Sequence, residues 1–168
     1  MTKLLQLIDY NPEKSIVDFV AFNGPRIIAV ITSLRLFTQF QYLIAYIVSK
    51  YADSEINKIL KNVIREERPS NGENYASERY IGAHVYGMPS GHAQSVFFSV
   101  VFLYLATRSN VLLLLTGSIA VLTLLQRWNS KKHSVAQLIA GSVVGAVNAF
   151  LAYKITKRFI ETKKTPIF

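Results

Sequence analysis

Cysteine is absent from this sequence, and acidic residues are missing from one long stretch of it. Without cysteine, disulfide frameworks, thiolate metal sites and thiol catalysis are excluded. No aspartate or glutamate occurs between Glu78 and Glu161, so this stretch offers no carboxylate oxygen to a hard cation such as magnesium. We therefore expect neither an essential metal ion nor another cofactor.

The remaining composition is typical of a membrane protein. Apolar residues make up 51% of the chain and mean hydropathy is positive. The length of 168 residues suffices for several spanning helices, so we expect residues 1–168 to form a single membrane-embedded domain. In so apolar a chain, the net charge of +9 favours phospholipid headgroups over nucleic acid as partners. The first 15 residues lack the apolar core of a cleavable signal peptide and are expected to belong to the mature chain.

The apolar segments predict an all-α fold, a polytopic transmembrane bundle of about five spanning helices plus an interfacial amphipathic helix. The expected spans are Phe19 to Phe37, Phe40 to Ile64, His92 to Arg108, Val111 to Gln126 and Ser134 to Tyr153. The number of spans before residue 65 stays open, because Pro25 and several polar residues interrupt the first two segments. The small residues Gly141, Gly145 and Ala149 predict close packing of the last span against another helix.

Three further segments have their own patterns. After Asp53, a plausible helix start, apolar residues recur at helical spacing and predict the interfacial helix, with a basic opposite face that continues towards Pro69. The polar, glycine-containing segment from Ser70 to Met88 predicts a loop at the membrane interface. A basic tail from Lys154 onwards favours the cytosol, which would place the motifs described next on the non-cytoplasmic (lumenal or periplasmic) face.

The first motif runs from Lys61 to Pro69. Lys61 and Arg68 are separated by about two helical turns, so both would point the same way and hold a phosphate from one wall. A solvated basic face lying on anionic lipid would have the same pattern, and this alternative stays open.

The second motif is Pro89-Ser90-Gly91-His92. With Pro89 at the first helical position, the amides of Ser90 and Gly91 would be unpaired at a helix N-terminus, where anions bind. The Ser90 hydroxyl adds a donor, and a histidine at the start of a span is unfavourable unless it has a task. A plain helix cap with an interfacial His92 is the alternative.

The third motif joins Arg127, at the end of one span, to His133, at the start of the next. Because two spans lead out and back between His92 and Arg127, all three motifs should meet at one membrane face. Gln137 lies one turn after His133 and could accept a hydrogen bond from one ring nitrogen, which leaves the other free to attack phosphorus. Ordinary interfacial arginine and histidine would look the same in isolation.

In this order and spacing, the motifs resemble the type 2 phosphatidic acid phosphatase superfamily, which includes lipid phosphatases and vanadium haloperoxidases. The matching segments are KNVIREERP from Lys61, PSGH from Pro89 and RWNSKKH from Arg127, within a region of about residues 57–145. KNVIREERP, GMPSGHAQ and the glutamine after the third-motif histidine are most similar to the dolichyl diphosphatase branch. Two residues depart from the common pattern, Gln126 in place of serine and Gln137 in place of aspartate. A neutral amide can orient an imidazole but stabilises its positive charge less than a carboxylate does.

The resemblance implies a metal-independent hydrolase, with His133 as the nucleophile that forms a phosphohistidine, His92 as general acid and Gln137 as the orienting residue. It further implies phosphate binding by Lys61, Arg68, Ser90, Gly91 and Arg127. The expected reaction converts a polyisoprenyl (dolichyl-type) diphosphate in the bilayer to its monophosphate plus phosphate. The weakly basic leaving group of a diphosphate suits the neutral Gln137.

Three alternatives stay open. The same chemistry could act on another lipid phosphate, such as phosphatidate or phosphatidylglycerol phosphate. The neutral Gln137 also fits a non-catalytic lipid-binding membrane protein. A channel with Arg127 in a selectivity ring would leave the order of the motifs unexplained. His84 has no helical partner and is interpreted as an interfacial residue.

Overall fold

The computed structural model describes residues 16–69 and 82–164. The first 15 residues, which were expected to belong to the mature chain, and most of the expected loop from Ser70 to Met88 lie outside the described residues. The described part is helical and contains no strand, which confirms the all-α class. Its α-helices are α1 Ile16–Phe22, α2 Gly24–Leu36, α3 Phe40–Ile64, α4 Gly91–Thr107, α5 Asn110–Asn129 and α6 Val135–Lys164. A short 3-10 helix, Gly82–Val85, precedes α4.

The expected first span is broken into α1 and α2, which meet at an angle of 70°. Pro25 lies in the first turn of α2, where its missing N–H costs no hydrogen bond. Gly24 packs so closely on α5 that a Cβ atom there would lie 1.9 Å from Thr123 Oγ1. The close approach at Gly24 and the fixed φ of Pro25 therefore explain why this segment bends near Asn23.

The structure does not confirm the count of five spans. Within the described residues, α5 and the Val135–Thr162 part of α6 are long and apolar enough to cross a membrane. The bent pair of α1 and α2 adds a third candidate if it acts as one span. Helix α4 is apolar but has 17 residues, a length of about 25 Å, and α3 carries charged residues along its length.

No separate interfacial helix begins at Asp53 in the described chain, because α3 runs through this position without a break. The Asp53 side chain is buried and accepts hydrogen bonds from Gln94 and Asn148, at 2.8 and 2.7 Å, instead of capping a helix. The amphipathic segment is therefore the second half of a longer helix.

In this segment of α3 the polar face is turned into the bundle and the apolar face outwards, the reverse of a surface helix in a soluble protein. Asn57 and Lys61 are buried, whereas Ile59 and Val63 are exposed. An apolar outer face with polar residues turned inward is the arrangement of a helix that contacts lipid. The helix ends at Ile64, where Arg65 adopts the left-handed conformation at a φ of 53°, so it stops well before Pro69.

Helix α4 lies at the centre of the bundle and contacts α2, α3, α5 and α6. A Cβ atom on Gly141 would lie 2.4 Å from the Ser90 carbonyl oxygen, and one on Gly145 would lie 2.1 Å from the Gln94 carbonyl oxygen. The predicted close packing of the last span at its small residues is thereby confirmed, and α4 is the helix that it contacts.

Helix α6 continues well past the expected end of its span, so most of the basic tail is helical. No glycine or proline follows Gly145 until Pro166, and Lys157 pairs with Glu161 one turn further along, at 3.6 Å. Neither a helix breaker nor a capping residue therefore stops the helix at the membrane edge. That residues 1–168 form one domain stays a prediction.

Candidate active site

All three motifs reach one cavity of about 670 Å³. It lies where α3 and α5 end and α4 and α6 begin, because these four ends carry the motif residues. Six of the eight residues singled out from the sequence line it, namely Lys61, Arg68, Gly91, His92, Arg127 and His133. The other two, Ser90 and Gln137, are buried beside lining residues, Ser90 next to Gly91 in the chain and Gln137 against His133. Both imidazoles therefore belong to the same cavity.

His133 is held through both ring nitrogens. Nδ1 lies 3.1 Å from Gln137 Oε1, and Nε2 lies 3.0 Å from Arg68 Nη1. A guanidinium can only donate, so Nε2 must be the acceptor and Nδ1 must carry the proton that Gln137 accepts. This assigns the neutral tautomer whose Nε2 lone pair faces the cavity.

The Gln137 amide is itself fixed in one orientation. Its Oε1 also accepts from the Ser134 amide at 3.2 Å, and its Nε2 donates to Glu66 Oε1 at 2.7 Å and to the Glu67 carbonyl oxygen at 2.8 Å. Because a carbonyl oxygen only accepts hydrogen bonds, a flipped amide would set oxygen against oxygen. The tautomer of His133 is thus determined by groups on two segments of the chain, residues 66–68 and 134–137.

Burial lowers the pKa of His133 well below its usual range, and the positive charges of Arg68, Arg127 and Lys61 lower it further. The hydrogen bond from Gln137 acts in the opposite direction. The imidazole is consequently neutral at pH 7, which is the form that a nucleophile requires.

Pro89 is not the first helical residue of the second motif, because α4 begins at Gly91. Ser90 is the N-cap of α4, and its hydroxyl accepts from the Ala93 amide at 3.4 Å. Its own amide donates to the Gln137 carbonyl oxygen at 3.0 Å, so the expectation that this amide is unpaired was wrong. Gly91 opens α4 and lines the cavity, and an N–H in the first turn has no partner within its own helix. This helix end can therefore still bind an anion.

Lys61 and Arg68 share a wall, but not through helical spacing. Lys61 is buried in the last turn of α3, and its Nζ donates to the Tyr86 carbonyl oxygen. Arg68 follows the end of the helix, and its guanidinium donates to the carbonyl oxygens of Lys132 and His84, each at 3.1 Å. The expected clamp on one helix face was therefore wrong in its geometry, although both cations line the same cavity.

An aromatic residue of α1 joins Arg127 to His92. Arg127 is only 1% exposed, and its guanidinium lies 5.5 Å from the ring centroid of Phe22. The Phe22 ring lies 5.8 Å from that of His92. A cation over an aromatic face is stabilised by the ring quadrupole, so Phe22 supports the arginine on one side and the imidazole on the other.

Sequence reasoning missed several residues of the cavity wall. Arg26 and Asn57 line it, and so does His84, which was interpreted as an interfacial residue. Burial and the charges of nearby cations, Lys61 first, lower the pKa of His84. A charged residue inside an apolar segment is a functional signal, which could have marked Arg26. No local pattern marks Phe22, which reaches the site because the chain bends before Gly24.

The fold is that of an integral membrane protein, and its cavity is lined by several cationic side chains. A model of the PAP2 superfamily matches residues 39–161, and the chain belongs to this superfamily. The resemblance inferred from the three motifs is confirmed.

Curated relatives include Dolichyldiphosphatase 1 of Homo sapiens, which is 27% identical over an alignment of 181 positions. This alignment covers 98% of this chain and 67% of the human protein. They also include Lipid phosphate phosphatase epsilon 1, chloroplastic, of Arabidopsis thaliana, 30% identical over 115 residues that cover 64% of this chain and 38% of the plant protein. The chain thus spans about two thirds of the length of the human relative and well under half of the plant one.

A solved structure has a similar fold. It is that of the first transmembrane PAP2 type phosphatidylglycerolphosphate phosphatase from Bacillus subtilis, with a TM-score of 0.57 and 18% sequence identity. The match covers 93% of this chain and 94% of the bacterial one. At this identity the likeness extends to the fold alone.

Proposed function

We propose that the chain is a lipid phosphatase that hydrolyses a polyisoprenyl diphosphate to the monophosphate and phosphate, through a phosphohistidine on His133. The observation that carries the proposal is the neutral Nε2 of His133 in a cavity that also holds His92 and the cations Lys61, Arg68 and Arg127. A nucleophile, a second imidazole for proton transfer and fixed positive charge are the groups that phosphoryl transfer needs.

In the first step the terminal phosphate enters among the cations. Arg68 then gives up its hydrogen bond to Nε2 of His133 and donates to a phosphate oxygen instead. The freed lone pair attacks phosphorus, and the bond to the bridging oxygen breaks. His92 gives its proton to that oxygen as the lipid monophosphate leaves. In the second step His92 accepts a proton from water, the water oxygen attacks phosphorus, and the P–N bond breaks to release phosphate and the neutral imidazole.

The remaining groups stabilise the charge of the transition state. Arg127 and Lys61 line the cavity and supply positive charge, and the amide of Gly91 supplies a donor at a helix N-terminus. The hydroxyl of Ser90 can donate its proton to a phosphate oxygen while its oxygen caps the helix. These roles need no metal ion.

Two observations support a diphosphate over a monophosphate. Arg26 lines the same cavity and lies four residues after Phe22, across the bend between α1 and α2, and Phe22 contacts His92. A cation beside the proposed general acid can bind the departing second phosphate. The relative of Homo sapiens is named a dolichyldiphosphatase. The apolar lining at Ile47 suits a lipid tail that enters between helices.

A lipid panel tests the proposal. Phosphate release is measured in detergent with EDTA present, from a polyisoprenyl diphosphate, the corresponding monophosphate, phosphatidate and phosphatidylglycerol phosphate. We expect the diphosphate to be the fastest substrate and both His92→Ala and His133→Ala to abolish release. Faster hydrolysis of a glycerolipid would replace the substrate but keep the enzyme class. Release lost in EDTA would contradict metal independence, and release unaffected by either substitution would refute the mechanism.

We place the site on the non-cytoplasmic face. The basic segment at Lys157 and Arg158 lies near the far end of α6 from His133, and such segments favour the cytosol. Because the chain has no cysteine, single cysteines at the exposed positions Asn129 and Thr162 can be labelled with an impermeant maleimide in sealed vesicles of known orientation. Labelling of the Asn129 position from the cytoplasmic side would reverse the assignment.

A further inference from the structure

Gln137 departs from the aspartate of the superfamily motif that the sequence resembles, but a carboxylate, that of Glu66, lies directly behind it. We propose that Glu66 is a positioning residue for His133 and acts through the amide of Gln137. The inference rests on the proposed function, since it concerns how the nucleophile of that reaction is prepared.

Two hydrogen bonds connect the carboxylate to the imidazole. Glu66 Oε1 accepts from Gln137 Nε2 at 2.7 Å, and Gln137 Oε1 lies 3.1 Å from His133 Nδ1. An ionised carboxylate only accepts, so it requires the amide nitrogen on its own side and the amide oxygen on the side of His133. Glu66 thereby helps to keep the proton on Nδ1 and the lone pair on Nε2.

The same connection carries an electrostatic effect. When Nε2 bonds to phosphorus, the ring becomes positively charged, and its Nδ1–H bond to Gln137 strengthens. A negative charge on Glu66 polarises the amide and makes its oxygen a better acceptor, because hydrogen bonds in a chain reinforce one another. A carboxylate in direct contact with the ring would act more strongly, since the interaction falls with distance. Glu66 therefore supplies part of what an aspartate at position 137 would supply.

The local backbone is built to hold Glu66 at this place. The left-handed turn at Arg65 ends α3 early and redirects the chain towards α6. The Glu66 carbonyl oxygen accepts from the Gly87 amide at 2.7 Å. A Cβ atom on Gly87 would lie 2.5 Å from both polar atoms of the Gln137 amide, so only glycine fits against it. Backbone on one side and a carboxylate on another thus fix the amide that faces His133.

An exchange of the two side chains tests the proposal. The variants are Glu66→Gln, Gln137→Glu and the double variant that carries both changes, each assayed for phosphate release from the preferred lipid. We expect Glu66→Gln to lower kcat about tenfold with KM little changed, the size typical of an outer hydrogen-bond partner. Its acid limb should move to lower pH, because removal of a negative charge near the imidazole lowers the pKa of His133.

Gln137→Glu alone sets two carboxylates against each other and should be the least active of the three variants. The double variant restores one amide and one carboxylate and should exceed Gln137→Glu about tenfold in kcat. Glu66→Asp keeps the charge on a shorter side chain and should keep the pH profile of the wild type. Glu67→Gln is the matched control, since both side chains are exposed but Glu66 bonds to Gln137 through its carboxylate and Glu67 through its backbone carbonyl.

The outcomes are distinguishable from those of the lipid panel. A wild-type protein that releases no phosphate would sink the proposed function itself. An active wild type in which Glu66→Gln equals Glu67→Gln in kcat and pH profile would overturn the role of Glu66 and leave the function standing. A double variant no better than Gln137→Glu, or a Glu66→Gln loss explained by a lower thermal midpoint with an unchanged pH profile, would also overturn it.

Discussion

Two groups of buried polar residues lie in this bundle, about two to three turns apart along α3. The anion site consists of Lys61, Arg68, His92, Arg127 and His133. The core network consists of Lys50, Asp53, Gln94, Ser95, Ser99 and Asn148. Its residues Lys50, Asp53, Gln94 and Ser95 also line the cavity. Both place charge in an apolar bundle, which is unfavourable unless the charge is compensated. They differ in the signs of the charges that their described residues carry.

The core network compensates its charges internally. Asp53 accepts hydrogen bonds from two amides, and Lys50 Nζ donates to the hydroxyls of Ser95 and Ser99 at 2.7 and 3.1 Å. One cation and one anion lie within a turn of the same helix, so the group is close to neutral as a whole. Such a network specifies how α3, α4 and α6 fit together.

The anion site gathers charge of one sign. Lys61 donates to a backbone carbonyl, and Arg68 donates to two carbonyls and to an imidazole nitrogen. These acceptors are neutral groups. A bound phosphate would bring negative charge among these cations. We infer that the first group serves binding and turnover and the second serves stability.

The largest test of this division removes the nucleophile. We expect His133→Ala to lower kcat at least about 1,000-fold, because Nε2 of His133 forms the bond to phosphorus in the proposed mechanism. Labelled phosphate should no longer be trapped on the protein in rapid quench. The control is His84→Ala, which keeps the carbonyl that Arg68 uses and should retain most activity. Retained turnover in His133→Ala would place the chemistry elsewhere.

The same substitution at two lysines sharpens the comparison. Lys61→Met should lower kcat/KM about 100-fold, because it removes a charge that stabilises the transition state. Its thermal midpoint should stay the same or rise, since a buried cation leaves a group of like charges.

Lys50→Met should instead lower the free energy of unfolding by about 1–3 kcal/mol, because it breaks buried hydrogen bonds. Its kcat/KM per folded molecule should change little. Thermal unfolding in detergent and phosphate release from the same samples measure both quantities. A Lys50→Met protein that is stable but inactive would show that the core network is part of the catalytic site.

A smaller effect is expected at Arg26, on the edge of the anion site. Arg26→Gln should lower kcat/KM for the diphosphate about tenfold, through the loss of one charge-assisted contact. Hydrolysis of the monophosphate should change little, because it has no second phosphate. Arg35→Gln, an exposed arginine in the last turn of the same helix, is the control. An equal loss for both substrates would assign Arg26 to the cavity as a whole.

Features encoded by local pattern were predictable from the sequence. The bounds of α3, Phe40–Ile64, agree with the prediction, because apolar periodicity and the turns at its ends are local signals. The contacts of Gly141 and Gly145 with α4 also followed from residue size alone. The motif residues were recognisable because their order and spacing match the motif pattern of the superfamily.

Features created by tertiary structure were not predictable in this way. Glu66 appeared only as a spacer within the first motif, and its link to Gln137 requires the left-handed turn at Arg65. Phe22 reaches His92 only because the chain bends before Gly24, which depends on close packing against α5. The inward direction of the polar face of α3 could not be predicted, since periodicity identifies two faces but not which of them contacts lipid.

The smallest expected effect concerns pH and separates the two groups once more. Burial first, and then the charge of Arg68, lower the pKa of His133, so the nucleophile stays neutral below its usual range near 6.5. On the acid side, activity should therefore fall only when pH drops below that value, as the imidazole becomes protonated. Arg68→Gln removes the largest positive charge acting on the ring, so the acid limb of kcat/KM should move to higher pH while the maximal rate falls.

Lys50→Met provides the contrast for this shift, because its charge belongs to the core network and is balanced by Asp53 within one turn of α3. Its pH profile should coincide with that of the wild type. Phosphate release measured across the acid range, with thermal unfolding as a check on folding, gives both profiles. An acid limb that moves equally in the two variants would mean that His133 responds to the total charge of the bundle. A shift confined to Arg68→Gln would mean that it responds to the anion site alone.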